Sequence, residues 1–445
     1  MEDYRHAADA VAEDIAAGRL RPGDRLPTQR AFARAHGIAN STAGRVYREL
    51  VRRGLVVGEV GRGTFVRAEP PVPGPALAEP AAQRIDLELN YPAIAGQSEL
   101  LAAGLAPLLR PDLLAAALRP VAATGTPAAR DAVAALLTRP GWAPDPSRVL
   151  FAGNGRQAIA AAIAALVPPG GRLGVEELTY PVVKAVAARL GVTLVPLATD
   201  TDGLRPDALV TACRVARTHA VYLQPTLHNP LGTTMSATRR AELADALHRL
   251  DLYAIEDTVW AFLRDGPPPL AGYAPDRTIL VDSFSKRLAP GLTTGFAVTP
   301  APLAEQIGAA LRSGGWTATR FALDAVTRWI GDGTVTRIVH AKREDAAARQ
   351  RIAATRLAGG TLCADPAAYN CWWELPPPWR AETFVAAAAR RGIAVTPAAA
   401  FVVGSGRAPG AVRIGLASPP PDVLGAALDT LAALARSTPE DADAH

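Results

Sequence analysis

Along the first 67 residues the apolar positions repeat at helical intervals three times, then switch to a two-residue alternation. Ala8, Val11, Ala12 and Ile15 share one face of a helix predicted over Ala7–Ala17, which Gly18 stops. Arg21-Pro22-Gly23-Asp24 reads as a turn. Thr28 caps a second helix, Gln29–Ala35, ended by Gly37, and Asn40 or Ser41 caps a third, Thr42–Arg53, ended by Gly54. Leu55-Val56-Val57 and Thr64-Phe65-Val66 flank the glycine-rich stretch Gly58–Gly63 and read as a β-hairpin. Three helices followed by a hairpin make a winged helix-turn-helix over residues 1–67.

Residues 68–83 carry five prolines and no periodicity. Such a linker is semi-rigid and extended, at about 3 Å per residue, so it spans roughly 40–50 Å. From 84 to 436 short apolar runs alternate with helical patterns. The runs Val149–Ala152, Arg172–Val175, Thr193–Val195, Ala220–Leu223, Leu252–Glu256, Thr278–Val281 and Thr294–Val298 are the expected strands. Helices are expected near Gln157–Leu166, Pro181–Leu190, Ala237–Leu250 and Leu303–Leu311. That alternation means an α/β fold with a mainly parallel sheet and ligand sites at strand C-termini. After a long helical region near 318–357, Tyr369–Glu374, Glu382–Arg391 and Ala411–Gly415 suggest a smaller α/β lobe. The polar end, 437–445, is expected to be disordered.

Composition narrows the classes. At 445 residues two or three domains are expected, and 49% apolar residues with only 5% aromatics imply a core rich in Ala, Leu and Val. No apolar run reaches the roughly 18 residues of a membrane helix, and the acidic start of the chain does not read as a signal peptide. Cys213, Cys363 and Cys371 are widely spaced and odd in number, which fits free thiols in a reducing cytoplasm. The seven histidines show no metal-ligand spacing, so no metal site is expected. The net charge of +5 is mild, but its distribution is not uniform. Arg30, Arg34, Arg45, Arg48, Arg52, Arg53, Arg62 and Arg67 crowd the first domain from its second helix onward, opposed there by Glu49 and Glu59. Arg45 and Arg48 share a face of the third helix, and Arg62 sits at the hairpin tip between two glycines. Arginines so placed neutralise phosphates or pair with guanine.

Only three of the 47 lysines and arginines are lysines: Lys184, Lys286 and Lys342. Arginine stays charged at any biological pH, whereas lysine can lose its proton and attack a carbonyl. Lys286 follows the buried run Thr278–Val281 within Val281-Asp282-Ser283-Phe284-Ser285-Lys286-Arg287-Leu288-Ala289-Pro290-Gly291-Leu292. Other strand ends also carry polar groups. Asn229 follows Ala220–Leu223 in a Pro-Gly turn, Asp257 follows Leu252–Glu256, and Gly153-Asn154-Gly155-Arg156 opens a helix after Val149–Ala152, which makes an anion site. Singly each of these is compatible with a structural role. Their order along the chain is what points to chemistry.

Two resemblances follow. Arg19-Leu20-Arg21-Pro22-Gly23-Asp24-Arg25-Leu26-Pro27-Thr28-Gln29-Arg30, then Ser41-Thr42, Tyr47-Arg48-Glu49-Leu50 and Gly61-Arg62-Gly63-Thr64-Phe65-Val66, resemble the GntR-family DNA-binding domain across nearly all of residues 10–67. This implies binding of a double-stranded DNA operator as a homodimer, with Arg30, Ser41, Thr42, Arg45, Arg48 and Arg62 at the DNA. From about 85 to 436 the strand-end set resembles the fold-type I aminotransferases, which use pyridoxal 5'-phosphate (PLP), and the fusion is similar to the MocR regulators. The resemblance implies a Schiff base at Lys286, Asp257 on the ring nitrogen, Asn229 on the ring hydroxyl and Tyr180 stacked on the ring. It also implies that Asn154, Gly155, Ser283 and Ser285 hold the phosphate, and that Arg413 binds an effector carboxylate.

Three positions depart from the family pattern. Thr293 stands where a phosphate-gripping arginine is usual, seven residues after the lysine. Losing such a charge-assisted bond costs roughly 1.5–3 kcal/mol, and Arg156 and Arg287 are the expected substitutes. Val259 and Trp260 stand where a tyrosine donating to the ring hydroxyl is usual, and the family's interface tyrosine has no counterpart near Pro120–Thr124. The reading that follows is a cytoplasmic, dimeric regulator whose body binds PLP and senses it or an amino compound, without steady-state catalysis. A transaminase with an accessory DNA-binding head, and a regulator that no longer uses PLP, are the alternatives.

Overall fold

A computed structural model of the chain describes residues 3–59, 63–67, 85–357, 360–404 and 408–439. The expectations for Arg62, for the linker 68–83 and for tail residues 440–445 lie outside them. The chain forms two compact units, Met1–Leu89 with Ile352–Cys363 and Cys371–His445, and Asn90–Arg351 with Ala364–Asn370.

In the first unit the N-terminal region forms α1 (Asp3–Ala16), α2 (Gln29–Ala35), α3 (Asn40–Arg52) and the antiparallel hairpin β1 (Val56–Glu59) and β2 (Gly63–Val66). Its core is Ala8 and Val11 from α1, Phe32 from α2, and Ala43, Val46, Tyr47 and Leu50 from α3. Those α3 positions are spaced so that one face is buried and the other left for solvent. Tyr47 donates its hydroxyl to the Pro27 carbonyl at 2.5 Å, which ties α3 to the turn before α2. Thr28 caps α2 as expected, accepting from Ala31 N at 3.2 Å. The expected cap of α3 is corrected: Ala39 holds the extended cap conformation and its carbonyl takes the N–H groups of Thr42 and Ala43, so Asn40 and Ser41 lie inside the helix.

The same unit contains a smaller lobe. β3 (Ile85–Asp86) pairs in parallel with a short strand at Ile393–Ala394. A four-stranded sheet places Leu362–Cys363, Asn370–Glu374, Ala411–Gly415 and Thr396–Pro397 side by side in that order. Trp373, Trp379 and Phe384 pack edge to face in its core, covered by helices Ala381–Arg390 and Pro421–Arg436.

The second unit is built on a seven-stranded sheet. In chain order its strands are β4 (Val149–Ala152), β5 (Arg172–Glu176), β6 (Thr193–Leu197), β7 (Ala220–Leu223), β8 (Tyr253–Asp257), β9 (Thr278–Ser283) and β10 (Gly295–Val298). Their spatial order is β4-β10-β9-β8-β7-β5-β6. β6, β5, β7, β8 and β9 run parallel, and only β10 pairs antiparallel with its neighbours. The strand residues are almost all buried, as a sheet covered on both faces requires. The mainly parallel α/β body expected from the alternation of runs is therefore present. Strand ends of β7, β8 and β9, three adjacent strands, fall together at the carboxyl edge.

Candidate functional site

β8 ends in two carboxylates that the strand's two-residue period sends to opposite faces. Glu256 accepts from the N–H groups of Leu270 and Ala271 at 2.8 and 2.9 Å and lies 3.5 Å from the buried Arg240, a structural arrangement. Asp257, on the other face, is 3% exposed. Its Oδ2 accepts from the Tyr222 hydroxyl at 2.7 Å and from Gln224 Nε2 at 2.9 Å, and its Oδ1 accepts from Val259 N at 3.0 Å. Burial pushes the carboxyl up to about 6, against the three donors, which pull it down. Gln224 also accepts from Asn229 N at 3.2 Å, so one amide side chain joins Asn229 to Asp257. Asn229 Oδ1 is buried with no hydrogen-bond partner.

β9 runs into a single turn of helix, α4 (Phe284–Arg287), with Ser283 as its cap. Lys286 lies in that turn. Its Nζ donates to the Asn90 carbonyl at 2.5 Å and stands 4.7 and 5.3 Å from the ring centroids of Tyr91 and Trp260. Trp260, in place of the expected tyrosine, thus offers an aromatic face to the amine.

The expected anion site lies where α5 (Gly155–Leu166) starts beside the end of β9. Asn154 caps this helix by accepting from Gln157 N at 3.0 Å. A Cβ at Gly155 would lie 3.1 Å from Ser283 Oγ, and one at Gly295 would lie 2.2 Å from the Asn154 carbonyl. The approach to backbone atoms requires a glycine at 295, whereas at Gly155 a Cβ would be a tight contact that Ser283 would have to yield to. Ser285 Oγ is 2.7 Å from Thr293 Oγ1, so the position expected to carry an arginine carries a second hydroxyl. Arg156 is exposed at the helix start and bonds the Tyr180 phenol, whose pKa is raised chiefly by burial and also by the charge of Asp257. The structure therefore brings together Asn154, Gly155, Arg156, Tyr180, Ser283, Ser285, Asn229, Asp257 and Lys286 in one unit. Arg287 is the correction. Its guanidinium is buried and its Nη2 donates to Asp282 at 2.6 Å, an ion pair behind the turn that leaves it unsuited to replace the arginine.

Arg413 belongs to the other unit. It is buried on strand Ala411–Gly415 and donates through Nη2 to the Glu88 carbonyl and, at 3.2 Å, to Thr396 Oγ1. In the N-terminal region Ser41, Arg45 and Arg48 are exposed along one face of α3, Thr42 is half-buried beside them, and Arg30 is exposed on α2. A helix that buries Val46, Tyr47 and Leu50 and turns arginines outward is suited to a groove lined by phosphates.

Sequence reasoning missed Tyr222 and Gln224, the donors to Asp257, because a tyrosine inside an apolar run looks like core. It also left Lys342 unassigned, although the scarcity of lysine that singled out Lys286 applied equally to it. The residues present fit PLP. An amide with an unpartnered oxygen, a buried carboxylate, a lysine amine near two aromatic rings and a helix start approached by Gly295 too closely for any Cβ form a complementary set of polar groups.

Comparison with known proteins bears on the family and the fold. The family model described as "Aminotransferase class I and II" matches residues 119–431, and that of "Bacterial regulatory proteins, gntR family" matches residues 3–66. The uncharacterized HTH-type transcriptional regulator YdeF of Bacillus subtilis is 31% identical over 418 residues, covering 94% of this chain and 90% of that protein. The HTH-type pyridoxine biosynthesis transcriptional regulator PdxR of Corynebacterium glutamicum is 27% identical, covering 65% of this chain and 64% of its own. In fold, the chain is similar to the alpha-aminoadipate aminotransferase LysN of Thermus thermophilus, with a TM-score of 0.72 at 21% identity over 82% of this chain and 94% of that one.

Proposed function

The chain belongs to the class I and II aminotransferase family and carries a gntR-family domain ahead of it, the MocR-type architecture, and from that premise we propose that it is a DNA-binding transcriptional regulator that responds to PLP. The observation that carries this reading is Lys286 at the end of a buried strand, with Asp257 and Asn229 at neighbouring strand ends, in a chain whose α3 turns Arg45 and Arg48 outward. When bound, PLP supplies an aldehyde for covalent attachment and a ring that accepts electrons. Lys286 Nζ provides the amine. Asp257 holds a proton at the ring nitrogen, its carboxylate kept in place by Tyr222 and Gln224. Asn229 donates to the ring hydroxyl and Tyr180 covers the ring. Asn154, Gly155, Arg156, Ser283 and Ser285 receive the phosphate, at the N-terminal end of a helix. Arg413 takes the carboxylate of an amino compound.

Arg30, Ser41, Thr42, Arg45 and Arg48, with Arg62, contact a double-stranded operator, and the protein acts in the cytoplasm as a homodimer. Ligand state is read out as a change in operator affinity, since a ligand shifts an equilibrium only by its differential affinity for two states. Borohydride reduction in the presence of PLP, followed by peptide mapping, tests the cofactor half. The expected result is a pyridoxyl adduct on Lys286, and its absence overturns the proposal. Sustained amino transfer to a keto acid over many turnovers would replace the regulator with a transaminase.

A further inference from the structure

Lys342 is a fully buried cation that the site has not used. It lies on α6 (Thr334–Arg356), is 0% exposed, and has no carboxylate in hydrogen-bond contact. Its Nζ donates to the Lys286 carbonyl at 2.9 Å and to the Leu288 carbonyl at 2.6 Å. These are the carbonyls at the end of α4, a helix of one turn whose terminal acceptors have no intrahelical partner. A cation at that end satisfies them and opposes the negative pole of the turn. Gln97 Nε2 adds a third donor, to the Leu288 carbonyl at 3.1 Å. The Lys342 end is itself held, because the Tyr369 hydroxyl donates to the Lys342 carbonyl at 2.8 Å and lies 2.9 Å from Asp345 Oδ2.

An ammonium withdrawn from water is costly unless it is bonded, and burial pushes this one down to about 7. Packing alone would be met more simply by a methionine or leucine. What the amine adds is a tetrahedral donor able to hold two carbonyls two residues apart, one of them on the very residue whose side chain must reach the cofactor. The ammonium is compact enough to do so while fully buried, and it is one of only three lysines among the chain's 47 lysines and arginines.

We infer that Lys342 is a positioning residue for Lys286: it fixes the peptide that carries the attaching lysine, so that the Lys286 amine is presented in a geometry ready to react. The inference rests on the reading of Lys286 as the attachment point. In that attachment the Lys286 nitrogen bonds the aldehyde carbon, the aldehyde oxygen leaves as water with two protons from the amine, and Lys342 neither gains nor loses a bond.

The test uses full-length protein with Lys342→Met and Gln97→Leu, PLP as the probe, visible absorption as a function of pH, and peptide mapping after borohydride. Thermal melting without PLP reports folding. Attachment at Lys286 is expected to slow about tenfold or more in Lys342→Met, with the pH midpoint of the absorption band displaced, and Gln97→Leu is expected to move both in the same direction by less. If both variants attach PLP at the wild-type rate with the wild-type midpoint, the inference is overturned while the cofactor reading stands. A wild-type protein with no adduct on Lys286, or with its adduct on Lys342, overturns both. Should Lys342→Met fail to fold, Gln97→Leu decides: a displaced midpoint and slower attachment support the inference, and unchanged values overturn it.

Discussion

Asp257 is a carboxylate kept where its charge is unwelcome, and its burial has a sign that can be measured. Its folded value, about 6, lies above its ordinary 3.8, so the folded chain binds this proton more tightly than the unfolded chain does. The stabilisation is complete below about 4 and is lost as pH rises through about 6, leaving a cost of roughly 3 kcal/mol above it. Asp257→Asn removes the charge and keeps an acceptor for Tyr222 or Gln224. Without PLP, urea unfolding is expected to show the variant more stable than wild type above about pH 6, with the difference closing as pH falls toward 4. The same variant is expected to bind PLP more weakly, because an amide does not hold a proton on the ring nitrogen. Arg156 is the second residue with a defined expectation. If it does the work of the arginine expected at position 293, Arg156→Ala weakens PLP binding about ten- to a hundredfold, read by spectroscopic titration. A smaller loss would remove Arg156 from the phosphate set.

At the scale of elements, the expected anion site is a collision avoided. β10 and the start of α5 approach until a Cβ on Gly295 would meet the Asn154 carbonyl carbon and oxygen at 2.2 Å. These are backbone atoms and do not yield as a side-chain tip does. Gly295→Ala is therefore expected to cost several kcal/mol in denaturant unfolding, as overpacking of a rigid contact does, and to take PLP binding with it. α3 offers the opposite case, an element whose exposed face is free to change. Arg45→Ala and Arg48→Ala leave the buried Val46, Tyr47 and Leu50 intact, so folding and PLP attachment are expected to persist. Each is expected to weaken operator binding and to reduce the slope of log affinity against log salt by about 1, measured by fluorescence anisotropy over a salt series.

Across the whole molecule the N-terminal region and the seven-stranded body have separate hydrophobic cores. The N-terminal region has its own cluster around Phe32, Val46 and Tyr47, and the seven-stranded body has others. A change at the cofactor lysine is thus expected to leave the DNA reader folded. Lys286→Ala is expected to retain operator binding and to lose any change in affinity on addition of PLP, whereas wild type shows one. An equal response in both would mean that PLP acts elsewhere or not at all.

Element types were legible from sequence because they depend on neighbours three or four residues apart in helices and two apart in strands. Glycines at 18, 37 and 54 marked helix ends, and buried runs marked the strands of the large sheet to within a residue or two. Lys286, Asn229 and Asp257 could be picked out because each lies within about six residues of the end of such a run, so the strand that positions it is close by in the chain. Convergence was not legible. Tyr222 and Gln224 reach Asp257 from 35 and 33 residues away, and Lys342 reaches the Lys286 carbonyl across 56. Arg287, one residue from Lys286, pairs with Asp282 instead. Side-chain direction at a strand end is set by how sheet and helices pack, and packing joins residues by space, not by order. The chain's local pattern determined which chemistry was available; only the tertiary fold decided which groups meet.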